Sequence, residues 1–186
     1  MFPAIFLDRD GVIIENRAEY VRTWADVSFI PLALEALTRV SHGAYKLVLV
    51  TNQAGIGKGL IAPAEAESIN RRIARKIKRA GGRIDGIYLC PHKPEDGCEC
   101  RKPKPGLFLQ AARELTLDLS HSIAIGDKWS DLQAAQAAGI PTLVMVKTGE
   151  GAKEGLRPKP TGLGEVPVYE NLAQALADLL STSEGR

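Results

Sequence analysis

Five short apolar runs with helical stretches between them constrain the fold of this chain more than any other feature. Residues 4–7, 46–50, 87–90, 122–125 and 142–146 are almost continuously apolar rather than alternating, so they read as strands buried on both faces. Residues 32–40, 63–80, 106–115 and 130–138 read as helices, with Gly81-Gly82 and Gly139 placed as C-terminal stops. This order predicts an α/β fold, a three-layer Rossmann-like parallel sheet with helices on both faces and right-handed crossovers. A length of 186 residues favours a single domain spanning 1–186. The Gly-, Pro- and Lys-rich residues 148–167 read as a long loop, after which Asn171 can cap a last helix through Leu180.

Composition narrows the function. Hydrophobic residues make up 45% and charged residues 25%, the balance of a chain that folds unaided. A net charge of +2 gives no reason to expect a nucleic-acid or membrane partner. The helix at 63–80 is strongly basic around its Ile69, Ile73 and Ile77 stripe, but it has no interleaved aromatics to stack on bases, so its charge reads as a solvated face. The apolar N-terminal run meets Asp8 too early for a signal peptide or spanning helix. A cytoplasmic monomer acting on a small molecule is the expectation.

In an open parallel sheet, ligands bind at the C-terminal ends of the strands. The first strand ends in Asp8-Arg9-Asp10-Gly11, and in extended geometry Asp8 and Asp10 point the same way. Two carboxylates so close need a cation or a shared proton, although Asp-x-Asp-Gly also suits a solvated turn. The second strand ends in Thr51-Asn52-Gln53, whose hydroxyl, amides and backbone N–H groups suit phosphate oxygens. Gly55, Gly57 and Gly59 follow, but Gly-Lys-Ser/Thr is absent, so this is not a Walker loop. The run 122–125 leads into Gly126-Asp127, with Asp131 at the start of the next helix, where it can act as a cap or as part of an acidic cluster.

Cys90, Cys98 and Cys100 fall within eleven residues, a poor disulfide framework. With His92 they form a closed Cys₃His set, as structural tetrahedral zinc prefers, and the metal would fix the loop at 93–97. Arg101 and Lys102 follow the last ligand directly.

Taken in order, Asp8-x-Asp10-Gly11, then Thr51, then Lys102 and Gly126-Asp127-x-x-x-Asp131 resemble the motifs of the haloacid dehalogenase superfamily, over residues 5–146. The resemblance implies a phosphatase in which Asp8 is the nucleophile of an aspartyl-phosphate intermediate and Asp10 the general acid and base. It also implies that Thr51 and Lys102 bind the phosphoryl oxygens, and that Mg²⁺ is held by the carboxylates of Asp8 and Asp127 and the backbone carbonyl of Asp10. Cys-x-His, Cys-x-Cys and Arg-Lys-Pro-x-Pro-Gly are similar to the histidinol-phosphate phosphatase branch, and within it most closely to the heptose bisphosphate phosphatases. That implies Zn²⁺ at the four ligands and a sugar-phosphate substrate, the 7-phosphate of a heptose 1,7-bisphosphate made for lipopolysaccharide-core or nucleotide-heptose synthesis. Histidinol phosphate is the alternative substrate, and an inactive zinc-stabilised anion-binding module is the alternative of another class. Substrate contacts are expected from Asn16, Arg17, Glu19, Tyr20, Asn52, Gln53, Arg101 and Lys128. No insertion of domain size separates the motifs, so no large cap domain is expected. His42 and His121 read as surface residues, and Trp24 and Trp129 as packing.

Overall fold

The computed structural model describes residues 1–181. Six parallel strands form one sheet: β1 (Phe2–Leu7), β2 (Lys46–Asn52), β3 (Gly86–Cys90), β4 (Leu117–Gly126), β5 (Thr142–Val146) and β6 (Val168–Tyr169), in the spatial order β3-β2-β1-β4-β5-β6. Helices α1 (Ala33–Val40), α2 (Ala54–Gly57), α3 (Pro63–Arg79), α4 (Gly106–Leu115), α5 (Trp129–Ala137), α6 (Gly151–Glu154) and α7 (Leu172–Ser181) connect and cover the strands. The chain moves from β1 outward through β2 and β3, then returns to pair β4 on the other side of β1. That reversal opens a crevice at the C-terminal ends of β1 and β4.

The period of two along each strand divides the interior into two layers. Ile5, Leu7, Leu47, Leu49, Ile123, Ile125, Val144 and Val146 pack under α1, α3 and α7. Ala4, Phe6, Val48, Val50, Ala124, Leu143 and Met145 pack under α4 and α5. Helix α3 buries Ile69, Ile73 and Ile77 as one stripe, begins with Pro63, and is followed by Gly81 at φ +93°. Truncating any of the three isoleucines to alanine costs about 2–5 kcal/mol on the usual cavity scale. Helix α7 opens as expected, with the Asn171 carboxamide accepting from the Gln174 N–H (3.0 Å).

Several elements go beyond what hydropathy predicts, the short α2 among them. Strand β4 starts five residues before residue 122, through the polar Asp118, Ser120 and His121, and its register against β1 shifts between Pro3 and Ile5. Ser122 bridges the irregularity, accepting from the Ala4 N–H (2.9 Å) and donating to the Asp118 carbonyl (2.5 Å). The expected loop at 148–167 contains α6, and β6 adds a two-residue edge just beyond it. Among the described residues, no helix is long and apolar enough to cross a membrane, and nothing inserted between the strands forms a second sheet.

Candidate active site

Three buried carboxylates converge at the crevice. Asp8 follows β1, Asp127 follows β4, and Asp131 lies in the first turn of α5; one oxygen from each falls within 4.8 Å of the others. Lys102 Nζ, also buried, donates to Asp8 Oδ1 and the Val50 carbonyl (both 2.8 Å) and lies 2.7 Å from Asp131 Oδ1. Asp131 therefore both caps, accepting from the Lys128 N–H (3.1 Å), and belongs to the charge cluster.

One lysine does not balance three carboxylates in a desolvated site. Burial pushes Asp8 up to about 6, with Lys102 opposing the shift and Asp131 and Asp10 adding to it. Burial, then the charges of Asp131 and Asp8, push Asp127 up to about 7. Burial works against the charge on Lys128, but Asp127, Asp8 and Asp131 outweigh it and raise its pKa. Asp127 Oδ2 accepts from Asn16 Nδ2 (3.0 Å) and the Glu150 N–H (2.8 Å), whereas its Oδ1 is buried without a hydrogen-bond partner. A buried orphan oxygen in an all-oxygen acidic set is what a hard divalent cation satisfies, so the cluster fits magnesium. Glycine is required at two neighbouring positions: a Cβ on Gly11 (φ +88°) would lie 2.1 Å from Asp127 Oδ2, and one on Gly149 (φ +63°) 2.3 Å from it.

Beside this cluster lies a polar wall. Thr51 is buried, and its Oγ1 accepts from Gln53 Nε2 (2.8 Å). Gln53 Nε2 also donates to Asp10 Oδ2 (2.8 Å), and the Asp10 carboxylate is further engaged by Arg9. The Asn52 side chain clasps the backbone of Lys102, donating to its carbonyl and accepting from its N–H (both 3.1 Å).

A cleft of about 650 Å³ opens over these groups. It brings together Asp8, Asp10, Asn16, Arg17, Tyr20, Asn52, Gln53, Arg101, Lys102, Lys128 and Asp131. Glu19 stays outside the cleft, its exposed carboxylate paired with Arg22 (2.9 Å). Asn16 is turned toward the Asp127 carboxylate rather than left free for a ligand. Tyr20, at φ +65°, stands at the mouth with Lys58 Nζ 5.4 Å from its ring centroid. Sequence reasoning missed Lys58, Glu150 and Arg9. Arg9 sits between two candidate catalytic aspartates, the only local signal that could have singled it out.

The Cys–His cluster is preassembled. The cysteines are free thiols, and Cys90 Sγ lies 3.6 Å from both His92 Nδ1 and Cys98 Sγ, while Cys100 Sγ lies 3.2 Å from Cys90 Sγ, 3.4 Å from Cys98 Sγ and 3.3 Å from His92 Nδ1. A tetrahedron with metal–sulfur bonds of about 2.3 Å has edges of about 3.8 Å, so these separations fit zinc with little adjustment. The loop is tied to the crevice: the Gln53 N–H donates to the Cys90 carbonyl (2.7 Å), and Arg101 Nη1 to the His92 carbonyl (3.2 Å).

The HAD-hydrolase-like family model matches residues 99–175. Fold and site together define the class: a phosphatase of the haloacid dehalogenase type, with a magnesium-type carboxylate site. The chain is 42% identical over 159 residues to the D-glycero-β-D-manno-heptose-1,7-bisphosphate 7-phosphatase of Vibrio cholerae, covering 82% of this chain and 85% of that protein. It is 37% identical over 176 residues to the enzyme of the same name from Pseudomonas aeruginosa, covering 95% and 97%. The crystal structure of D,D-heptose 1,7-bisphosphate phosphatase from B. bronchiseptica with magnesium and phosphate superimposes with a TM-score of 0.89 at 37% identity, covering 97% of this chain and 99% of that one. The chain belongs to the family that these enzymes form.

Proposed function

We propose that this protein hydrolyses the 7-phosphate of D-glycero-β-D-manno-heptose 1,7-bisphosphate, working in the cytoplasm as a monomer of one domain. The observation that carries the reading is the convergence of Asp8, Asp127, Asp131 and Lys102 around an unsatisfied buried oxygen at the floor of the cleft, in a chain whose relatives carry that enzyme name. In the first step an Asp8 carboxylate oxygen bonds to phosphorus as the ester O–P bond breaks. The electron pair of that bond stays on the sugar oxygen, which takes a proton from Asp10. In the second step Asp10 takes a proton from water, whose oxygen displaces Asp8 from phosphorus.

Lys102 and the Thr51 hydroxyl would hold the equatorial oxygens of the transferring group, which carry its charge. Asp8, Asp127 and the Asp10 carbonyl would hold magnesium, which when bound supplies positive charge against the phosphoryl oxygens. Cys90, His92, Cys98 and Cys100 would hold a structural zinc that fixes the segment leading to Lys102. Arg17, Arg101 and Lys128 line the same cleft and suit the phosphate that is not cleaved, with Tyr20 beside them.

The deciding experiment compares kcat/KM for phosphate release, with magnesium, from the heptose 1,7-bisphosphate and from histidinol phosphate. A preference of at least about tenfold for the bisphosphate, or about 1.4 kcal/mol of transition-state binding, supports the reading. The opposite preference reassigns the substrate, and inertness toward both substrates sinks the hydrolytic mechanism.

A further inference from the structure

The side chain that grips Asp10 is its own neighbour. Arg9 is the largest fully buried residue described in the chain, and its donors converge on the active site. Its Nε donates to Asp10 Oδ2 (3.0 Å), its Nη2 to Asp10 Oδ1 (3.1 Å) and Gln53 Oε1 (2.9 Å), and its Nη1 to Asn70 Oδ1 (2.8 Å). Nη2 also lies 2.9 Å from Asp10 Oδ2, so that the guanidinium leans toward Oδ2. Gln53 closes the ring by donating from Nε2 to Asp10 Oδ2 (2.8 Å). Asp10 Oδ2 thus accepts two N–H bonds, the capacity of its two lone pairs, whereas Oδ1 accepts one and keeps a lone pair.

Asn70 shows that the arrangement is imposed from a distance. It lies on the buried face of α3, sixty-one residues along the chain from Arg9, and its Nδ2 is buried without a partner. Leaving a buried amide donor unpaired costs about 1–3 kcal/mol. The carboxamide accepts that cost with its oxygen turned to the guanidinium, which fixes the plane of the Arg9 fork. A lysine could not reproduce this geometry, because a point charge makes no bidentate clamp on a carboxylate.

We propose that Arg9, locked by Asn70 and Gln53, is a positioning residue that makes Oδ1 of Asp10 the oxygen exchanging the proton, first with the departing sugar oxygen and then with the attacking water. The inference rests on the reading of Asp10 as general acid and base. Arg9 itself gains and loses no proton. It holds Oδ2 occupied, so that the proton leaves Oδ1 as the ester bond breaks and a proton from water returns to the same lone pair.

A misaimed general acid hurts poor leaving groups most, and leaving-group dependence separates positioning from mere structural support. Kinetics of Arg9→Lys, Asn70→Ala and Asp10→Asn would be measured with saturating magnesium on the heptose bisphosphate and on p-nitrophenyl phosphate, whose phenolate departs without help. Arg9→Lys is expected to lower kcat/KM, which reports only the steps up to ester cleavage and not the common hydrolysis of the intermediate, by about 100-fold on the sugar ester, the lower range of a general-acid contribution, and by less than about tenfold on the aryl ester. KM should move only a few-fold. Asn70→Ala should show the same skew at smaller amplitude, and it carries the test if circular dichroism shows Arg9→Lys unfolded. Equal losses on both esters in folded Arg9→Lys and Asn70→Ala, with the skew retained in Asp10→Asn, would overturn the positioning role alone. If Asp10→Asn shows no skew, the acid–base reading of Asp10 falls and this inference falls with it.

Discussion

Asp127 shows how one side chain can be divided between structure and chemistry. Its Oδ2 is pinned by Asn16 and the Glu150 N–H, and its Oδ1 is left buried and unpaired. Without a cation the fold disfavours ionising it, and burial holds Asp127 at about 7 and Asp8 at about 6. A carboxyl raised above its unfolded value, about 3.9, favours the folded state fully below that value and loses the contribution as pH rises through the folded pKa. Metal-free protein should therefore lose stability from these groups between about pH 4 and pH 7. Magnesium, which pairs only with the ionised pair, should raise the melting temperature more at about pH 8 than at about pH 5, as read from thermal melts with and without the ion. Asp127→Asn should reduce both the pH slope and the magnesium increment. An increment independent of pH would mean that the ion binds elsewhere.

At the scale of elements, the zinc loop is a brace rather than an appendage. Strand β3 delivers Cys90, the chain returns through Cys98 and Cys100, and Arg101 and Lys102 follow before α4 begins. Asn52 and the Gln53 N–H, at the end of β2, clasp the two ends of this excursion at Lys102 and Cys90. Loss of an outer partner of a metal ligand costs about 10–100-fold in affinity, so loss of the ligand in Cys98→Ser should cost more than about 100-fold. Zinc per chain by elemental analysis, melting temperature and kcat should fall together, and added magnesium should not restore turnover. Full activity in zinc-free protein would refute the bracing role.

Much of this architecture is local in the sequence. The apolar runs fix which residues face which layer, and reading one or two steps past the runs at 4–7, 46–50 and 122–125 finds Asp8, Thr51 and Asp127. Arg9 escaped because a charged residue between two aspartates reads as solvated, and its burial depends on Gln53 and Asn70, brought in by β2 and α3. Glu150 escaped because it acts through its backbone N–H within a Gly-rich stretch. The early residues of β4 escaped because polar side chains at a sheet margin leave no hydrophobic period, and β6 because two residues are too few to show one.

Across the whole molecule, charge is distributed more unevenly than a net charge of +2 suggests. The floor of the cleft is acidic and suits a cation, while Arg17, Arg101 and Lys128 lie along the same cleft. A substrate with two phosphates can satisfy both zones at once, one group over the carboxylate cluster and the other against the basic side chains. A monophosphate leaves the second zone empty. Hydrogen bonds to charged groups contribute about 1.5–3 kcal/mol, so Arg101→Ala should raise KM for the bisphosphate by about tenfold or more, and for a heptose 7-monophosphate by much less. Salt should reproduce the asymmetry. Between low ionic strength and about 0.15 M, where the screening length falls to about 8 Å, kcat/KM for the bisphosphate should drop further than for the monophosphate. Steady-state kinetics across a salt series for both substrates read this directly. Parallel lines for the two substrates in wild type and Arg101→Ala alike would place the second phosphate outside this cleft.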